Sequence, residues 1–475
     1  MKFRIILIIA SAIAFTFSLS ACKKEKLLTT GGELTFSVDT LSFDTVFTQF
    51  ASFTTEFKIY NPQNQKVNIS SIRLEKGDNS FFKVNVNGIS GSNVQNMELA
   101  AKDSLYVFAT VNIDPTNENN PFVVEDRMII TMNGKEYSVP FRAFGQNAYY
   151  IINQRLNTQT WKTDKPYVVV SSAQVDSNQT LTIPAGCRVY MHGDSRLFVF
   201  GTLKVLGTKT DSVLFRGDRL DRDYFANKDF AGEWGGLYFF SSSKDNVIDH
   251  AVIKNCGNGA FGATPAAIQL DPNATLSMSN SVIYNSIGHG LLSFGGGFVM
   301  ENCLIHSCGA QALAVLQGGL FDINHCTFAL HSIGGISGLK HVDNPAVAIQ
   351  NFFKAGETVY AGSLLKGSRM RNSIIWGGIE TELHCSKLNS NEVTFDLEIS
   401  NCIYKRKETL PTDIGIVENN NKRNEDPLFE NYQSWNYRLK SGSPAINAGI
   451  STDLTTDLDG KSRDANPDMG CYEFR

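Results

Sequence analysis

The sequence predicts an all-β chain, a right-handed parallel β-helix preceded by a β-sandwich. Three observations predict it. Short apolar runs alternate with tight turns rich in Asn and Gly along nearly the whole length. One four-residue signature recurs after residue 250. In 475 residues there are 39 Gly and 32 Phe but only 13 Pro, the balance of a chain with many turns and no helical periodicity.

The chain opens with Lys2 and Arg4, then an apolar run from Ile5 to Phe17, of signal-peptide length and short for a bilayer span. Leu19-Ser20-Ala21-Cys22 follows and resembles the lipobox of bacterial lipoproteins. That resemblance implies cleavage after residue 21, acylation of Cys22, and a lipid anchor in the cell envelope, at the outer membrane. Acyl chains make a lasting anchor because each buried methylene adds roughly 0.8 kcal/mol. The alternative is an ordinary signal peptide that leaves Cys22 as a spare thiol. Residues 22–32 read as a tether. Lys23 and the lack of an acidic run after it leave the membrane face open. The net charge of -4 gives no footprint for nucleic acid.

Residues 33–147 carry strand-like alternation over 34–38, 55–60, 67–74, 82–86, 104–111, 127–132 and 137–141. Turn pairs such as Asn61-Pro62, Asn87-Gly88 and Asn133-Gly134 separate the runs. Seven short strands in this span suit an immunoglobulin-like sandwich. Leu41-Ser42-Phe43, Tyr60-Asn61 and Ile113-Asp114-Pro115 resemble the Ig-like modules of the abnormal-spindle and choice-of-anchor type. No chemistry is legible here, so a spacer or docking role is expected.

The repeat lies in residues 150–420. A polar residue, a small residue and two apolar ones recur at His250-Ala251-Val252-Ile253, Asn280-Ser281-Val282-Ile283 and Asn302-Cys303-Leu304-Ile305. They recur again at His325-Cys326-Thr327-Phe328, Asn372-Ser373-Ile374-Ile375 and Asn401-Cys402-Ile403-Tyr404. The small residues are spaced by 30, 22, 23, 47 and 29, so 47 reads as two steps with one signature lost. A period in the low twenties marks a solenoid, whose coils bury an apolar face only by stacking. Runs at 267–270, 291–294, 313–316 and 335–339 follow the signatures, and runs at 275–278, 298–300 and 320–323 precede the next ones. Three strands per coil with glycine corners is the β-helix pattern. Stacking predicts an amide ladder of Asn280, Asn302, Asn372 and Asn401, with His250 and His325 in the same column. It also predicts columns of small residues that hold Cys303, Cys326 and Cys402, and Cys256 and Cys308. These thiols are therefore expected as packers and not as disulfides.

Leu181-Thr182-Ile183-Pro184-Ala185-Gly186, Gly201-Thr202-Leu203 and Gly232-Glu233-Trp234-Gly235-Gly236 resemble the opening coils of Bacteroidetes-type right-handed β-helix lipoproteins, a pectate-lyase-like solenoid. Residues 421–475, with Asp426-Pro427-Leu428-Phe429, Ser443-Pro444-Ala445 and Met469-Gly470-Cys471-Tyr472-Glu473, resemble the terminal segment of choice-of-anchor Q proteins. This tail is expected to cap the last coil and hide its open edge.

Candidate chemistry is sparse. Gly288-His289-Gly290 matches the Gly-His-Gly of polygalacturonases, but the paired carboxylates that glycosidic cleavage needs are absent at matching positions. His289 is otherwise part of a glycine corner. Lys254, Tyr284 and His306 fall at one frame on neighbouring coils, either a shallow glycan-binding strip with a base for lyase chemistry or solvent-facing strand ends. The charged insertion 216–233 holds Asp218, Arg219, Asp221, Arg222, Asp223 and Tyr224 and leads to Trp234, a mixture that suits sugar contact or a self-paired loop. Asp453, Asp457, Asp459, Asp464 and Asp468 offer oxygen ligands for calcium but no loop frame for it, so they read as turn formers and no cofactor is expected.

The expected function is a membrane-anchored envelope protein that binds glycan or a partner along the β-helix without catalysis. The alternatives are a β-helix polysaccharide lyase or glycoside hydrolase acting on acidic polysaccharide, and a purely structural stalk.

Overall fold

The computed structural model describes residues 26–114, 122–220, 230–262, 264–332 and 339–474, and the chain divides into two compact units at Asn147/Ala148. The first unit is two β-sheets around one core. Leu41–Phe47, Lys66–Leu74, Asn93–Leu99, Phe122–Met132 and Lys135–Gln146 belong to one sheet. Thr35–Phe36, Thr55–Tyr60, Ser104–Val111, Phe82–Val86 and Ile89–Ser90 form the other. Strict alternation drives this packing. In Ser104–Val111, Leu105, Val107, Ala109 and Val111 are buried while Tyr106 and Phe108 point out. Leu41–Phe47 and Asn93–Leu99 were not expected as strands; Leu41 and Phe43 enter the core.

The second unit is a parallel β-helix with three strands per coil. The first face stacks Ala251–Lys254, Val282–Ser286, Leu304–Cys308, Thr327–Leu330, Ile374–Gly377 and Ile403–Tyr404 in parallel register. The second face stacks Gly236–Phe239, Ala266–Leu270, His289–Ser293, Leu313–Val315, Val347–Gln350 and Leu383–Ser386. The third stacks Asn246–Asp249, Thr275–Ser279, Gly297–Glu301, Leu320–Asn324, Arg369–Arg371, Leu397–Ser400 and Ile416–Asn419. The inner file of the first face, Ile253, Ile283, Ile305, Phe328 and Ile375, is fully buried. Each such side chain stabilises the fold by roughly 1.5–3 kcal/mol through burial.

The polar residue that opens each signature turns the chain from third to first face. His250, Asn280, Asn302, His325, Asn372 and Asn401 all have φ between 46° and 51°. That left-handed region favours Asn and His over bulkier residues. The next residue is small and points inward. Ser281, Cys303, Cys326, Ser373 and Cys402 form one file, with the Cys326 N–H donating to Ser373 Oγ at 3.1 Å. The thiols bond to carbonyls, as in Cys303 Sγ to Glu301 O at 3.2 Å and Cys402 Sγ to Ser400 O at 3.3 Å. The eight described cysteines are free and buried. Burial pushes Cys308 and Cys402 up to about 12, so they stay as thiols.

Two expectations change. Thr327–Leu330 pairs directly with Ile374–Gly377, so the step of 47 is one enlarged coil and no coil has lost its signature. The extra length includes an antiparallel hairpin, Phe352–Ala355 with Thr358–Ala361, and the next second-face strand is Val347–Gln350. The strand expected at 335–339 falls mostly outside the described residues. The tail does not cap the last coil. It runs back along the first face and buries Phe429, Tyr437, Leu439, Ala445, Leu458, Met469 and Cys471 against Leu304, Ile374, Trp376 and Ile403. Leu410 instead closes the core at the last coils, with Ile414 and Ile416 packed beside it.

Candidate functional site

The asparagine turns hold the tail. Asn302 Nδ2 donates to Thr456 O at 2.7 Å, Asn372 Nδ2 to Ile450 O at 3.0 Å, and Asn401 Nδ2 to Ala448 O at 3.1 Å. Asn372 Oδ1 also accepts from the Ile450 N–H at 2.8 Å. Lys422 Nζ reaches Pro444 O and Lys209 Nζ reaches Leu458 O, both at 2.7 Å, which gives the strap its direction along the coils. The expected coil-to-coil ladder exists in part: Asn302 Nδ2 donates to Asn280 Oδ1 at 3.2 Å, and Asn372 Nδ2 lies 3.1 Å from His325 Nε2. Arg463 locks the strap: its guanidinium pairs with Glu473 at 2.8 Å and donates to Asn302 Oδ1 at 2.9 Å, with both charged side chains 5% exposed or less.

The tail aspartates serve this strap. Asp457 accepts from the N–H groups of Lys461 and Glu473, Asp468 from those of Asn447 and Phe474, and Asp459 takes both ends of Arg438. Among the described residues no three His, Cys, Asp or Glu side chains converge as metal ligands.

The strap decides the fate of the expected glycan strip. Lys254, Tyr284 and His306 do share one outward file. The rings of Tyr284 and His306 stack at 5.1 Å and 3°, and Lys254 Nζ lies 5.5 Å from the Tyr284 centroid. Trp435 and Tyr437 of the strap lie over them, at 5.1 Å from Tyr284 and 5.0 Å from His306. His306 is 3% exposed, and burial pushes it down to about 3, aided by His331. A base closed off from solvent has no route to an external sugar, so His306 is a packing residue, while Lys254 and Tyr284 are half-buried.

The other candidates scatter. His289 starts a second-face strand, and burial pushes it down to about 4. Its glycine neighbours are steric. A Cβ on Gly288 would meet Pro265 O at 2.1 Å, and one on Gly290 would meet Ala312 O at 2.5 Å. The glycine-corner reading therefore accounts for this motif. Trp234, expected as a binding residue, is fully buried, and its Nε1 donates to Lys254 O at 2.8 Å. Asp218 accepts from His192 Nδ1 at 2.6 Å and raises the pKa of that ring. Arg219 is half-buried. Cys22, Asp221, Arg222, Asp223 and Tyr224 lie outside the described residues.

The open surface is the third face, where a groove of about 800 Å³ crosses five successive coils. Its walls come in pairs from each coil: Asp245 and Val247, Thr275 and Ser277, Gly297 and Val299, Leu320 and Asp322, Lys366 and Arg369. Val299 and Leu320 are 40% and 45% exposed. Alternation explains this: Leu276, Met278, Phe298, Met300, Phe321 and Ile323 point into the core, so the residues between them must face water. Gly297 leaves the floor open. A Cβ there would have only ordinary contacts, 3.7 Å or more, and its φ is unremarkable.

Charge is organised at one end of the groove. Asp322 accepts from Arg369 Nη2 at 2.6 Å and from Arg371 Nη2 at 3.1 Å. Burial pushes the Asp322 carboxyl up, but the two guanidiniums outweigh it and hold the group below the usual range. Glu301, outward on the preceding coil, is raised by burial and then by the Asp322 charge. None of the residues singled out in the sequence lines this groove. The signal was available in the file Val247, Ser277, Val299, Asp322 and Arg369, which the coil register alone aligns.

No protein-family model matches the chain, and no curated protein matches it in sequence. Among solved structures, it is similar to a family 123 glycoside hydrolase from Clostridium perfringens, with 11% identity over 24% of this chain and 26% of that one and a TM-score of 0.18. It is similar to pectate lyase Pel9A, with 9% identity, 69% and 96% coverage and a TM-score of 0.30. It is also similar to a GH87 α-1,3-glucanase catalytic domain solved with nigerose, with 10% identity, 83% and 91% coverage and a TM-score of 0.25. The chain spans less than two thirds of the length of the first of these. The parallel stacking itself establishes the β-helix.

Proposed function

We propose that this chain is a polysaccharide-directed β-helix protein that binds a glycan strand in the third-face groove. The observation that carries the reading is an open groove crossing five coils, apolar at Val247, Val299 and Leu320 and polar at Asp245, Ser277, Asp322 and Arg369. At about 4.8 Å per coil it spans about 19 Å, room for several sugar units in extended form. Sugars present apolar ring faces and a rim of hydroxyls, and this wall matches both. Gly297→Trp tests it: a Cβ there meets only ordinary contacts, and the added ring is placed in the groove. The whole chain, titrated against a panel of neutral and acidic polysaccharides, is expected to bind at least one of them. The variant is expected to weaken that binding by about tenfold or more, at unchanged melting temperature. Equal binding by both proteins contradicts the reading.

A second reading, hydrolysis of the bound glycan, is favoured by the carboxyls of Glu301 and Asp322 on adjacent coils at one end of the groove. One is pushed toward the protonated form and the other held ionised, the arrangement that a general acid and its partner require. Release of new reducing ends, lost in Glu301→Gln and declining as pH rises through the raised Glu301 pKa, supports it. Binding without any chain scission contradicts it.

Attachment to the outer membrane through an acylated Cys22 belongs to the same proposal. Radiolabelled fatty acid should enter the protein and be lost in Cys22→Ser.

A further inference from the structure

A spacer or docking role is what the sequence suggests for the sandwich, and one of its sheets presents an outward aromatic pair. Ser104–Val111 sends Tyr106 and Phe108 outward, 36% and 37% exposed. The two rings are parallel within 8°, with centroids 5.8 Å apart. Lys58 Nζ lies 4.5 Å from the Tyr106 centroid, so that ring already carries a cation. Phe108 is left as the available ring, with its plane braced by Tyr106. It forms one wall of a groove of about 400 Å³.

The rest of the lining mixes apolar side chains, Leu74, Phe82, Val84 and Ala109, with polar ones. Asp78, Asn85, Ser90, Ser92 and Thr110 line the same groove. Several are held in place: Ser92 Oγ donates to Asp78 Oδ1 at 2.6 Å, and Asn85 Nδ2 donates to Ser90 Oγ at 2.9 Å. Asn85 Oδ1 also accepts from the Gly88 N–H at 2.8 Å, which fixes the amide orientation. Phe108 stands directly opposite Asn85 in the strand register.

The chemistry of the occupant follows. Hydroxyls and an amide, each able to donate and accept, recognise groups that also do both. One carboxylate beside Lys83 leaves no strong net charge to attract an ion. One aromatic face suits the C–H side of a saturated ring. The volume suits a small ligand. A phosphate would meet Asp78.

We infer that the groove lined by Phe108 and Asn85, neighbours on one face of the sheet, is a second carbohydrate site, taking one or two units of a neutral glycan. It rests on the polysaccharide reading above for its biological sense, but not for its geometry.

The test uses the whole chain in the Gly297→Trp form, which closes the third-face groove. Neutral oligosaccharides of glucose, galactose, mannose and xylose are the probes, titrated with calorimetric or NMR detection. Binding of at least one probe is expected, weakened by about tenfold in an added Phe108→Ala and by a similar factor in an added Asn85→Ala. Phe108 is at the surface, so the melting temperature should hold in Phe108→Ala, whereas Asn85→Ala also removes the hydrogen bonds to Ser90 and Gly88. An absence of binding by the Gly297→Trp chain overturns this inference, as does binding that neither added substitution changes. Failure of the third-face reading looks different: Gly297→Trp would then bind as the unaltered chain does, while Phe108→Ala alone abolishes binding.

Discussion

The first and third faces of the β-helix are built by the same rule and end up with opposite fates. Both alternate buried and outward residues, and both stack their outward residues in files. On the first face the files read Val282, Leu304, Thr327, Ile374 and Tyr284, His306, Ala329, Trp376, and a strap of about the last fifty residues covers them, leaving Val282 and Tyr284 half-buried and burying the rest. On the third face the file reads Ser277, Val299, Asp322, Arg369, and it stays open. The coil fixes where a side chain points. A segment far away in the chain fixes whether that side chain meets water, a sugar or the protein itself.

The comparison breaks most visibly at the strap's lock. Arg463→Met leaves Glu473 buried without its partner, which costs about 3–5 kcal/mol. Urea unfolding should show that loss, and limited proteolysis should cut the tail while the coils resist. Inside the coils, Ile305→Ala removes a fully buried side chain and should cost about 2–5 kcal/mol. The exposed counterpart Val299→Ser should stay within about 0.5 kcal/mol and still weaken glycan binding.

Acid should sharpen the contrast further. His306, His325 and His331 sit under or beside the strap and are pushed down by burial to about 3, 3 and 4. His331 also stacks on Tyr432 at 4.2 Å. Cations nearby, Arg463 and Arg371 for His325 and Lys405 for His331, oppose protonation as well. In the folded protein these rings stay neutral, whereas an unfolded chain protonates them near pH 6.5. The stabilisation is complete above that pH and is lost as pH falls toward 4, by about 2 kcal/mol per ring at pH 5. Melting temperature should therefore drop between pH 7 and pH 5, with tail cleavage rising in parallel. His306→Phe should reduce that pH dependence.

The coil register was legible because equivalent positions stack, so the spacing of Ser281, Cys303 and Cys326 announced one file. The asparagines were legible as a column. Their left-handed turns and their strap partners were not, because Asn302 and Thr456 are joined by contact and not by period. Trp234 sat beside a charged loop and suggested a surface, but two glycines after it allow close packing: a Cβ on Gly236 would meet Ala266 O at 2.2 Å. Spacing alone could not separate a lost signature from an enlarged coil at 326–373, since both give the same number. The groove was missed for a different reason. Asp322 and Arg369 become neighbours only once that enlarged coil is counted as one.

Deuterium exchange on the whole chain, with and without a bound glycan, tests the central claim most directly. Slow exchange is expected across the strap from 444 to 471, as slow as in the coils beneath. Added protection on binding is expected at 297–299, 320–322 and 366–369. Rapid exchange along the strap, with glycan protection appearing instead at 254, 284 and 306, would contradict the assignment of a closed first face and an open third one.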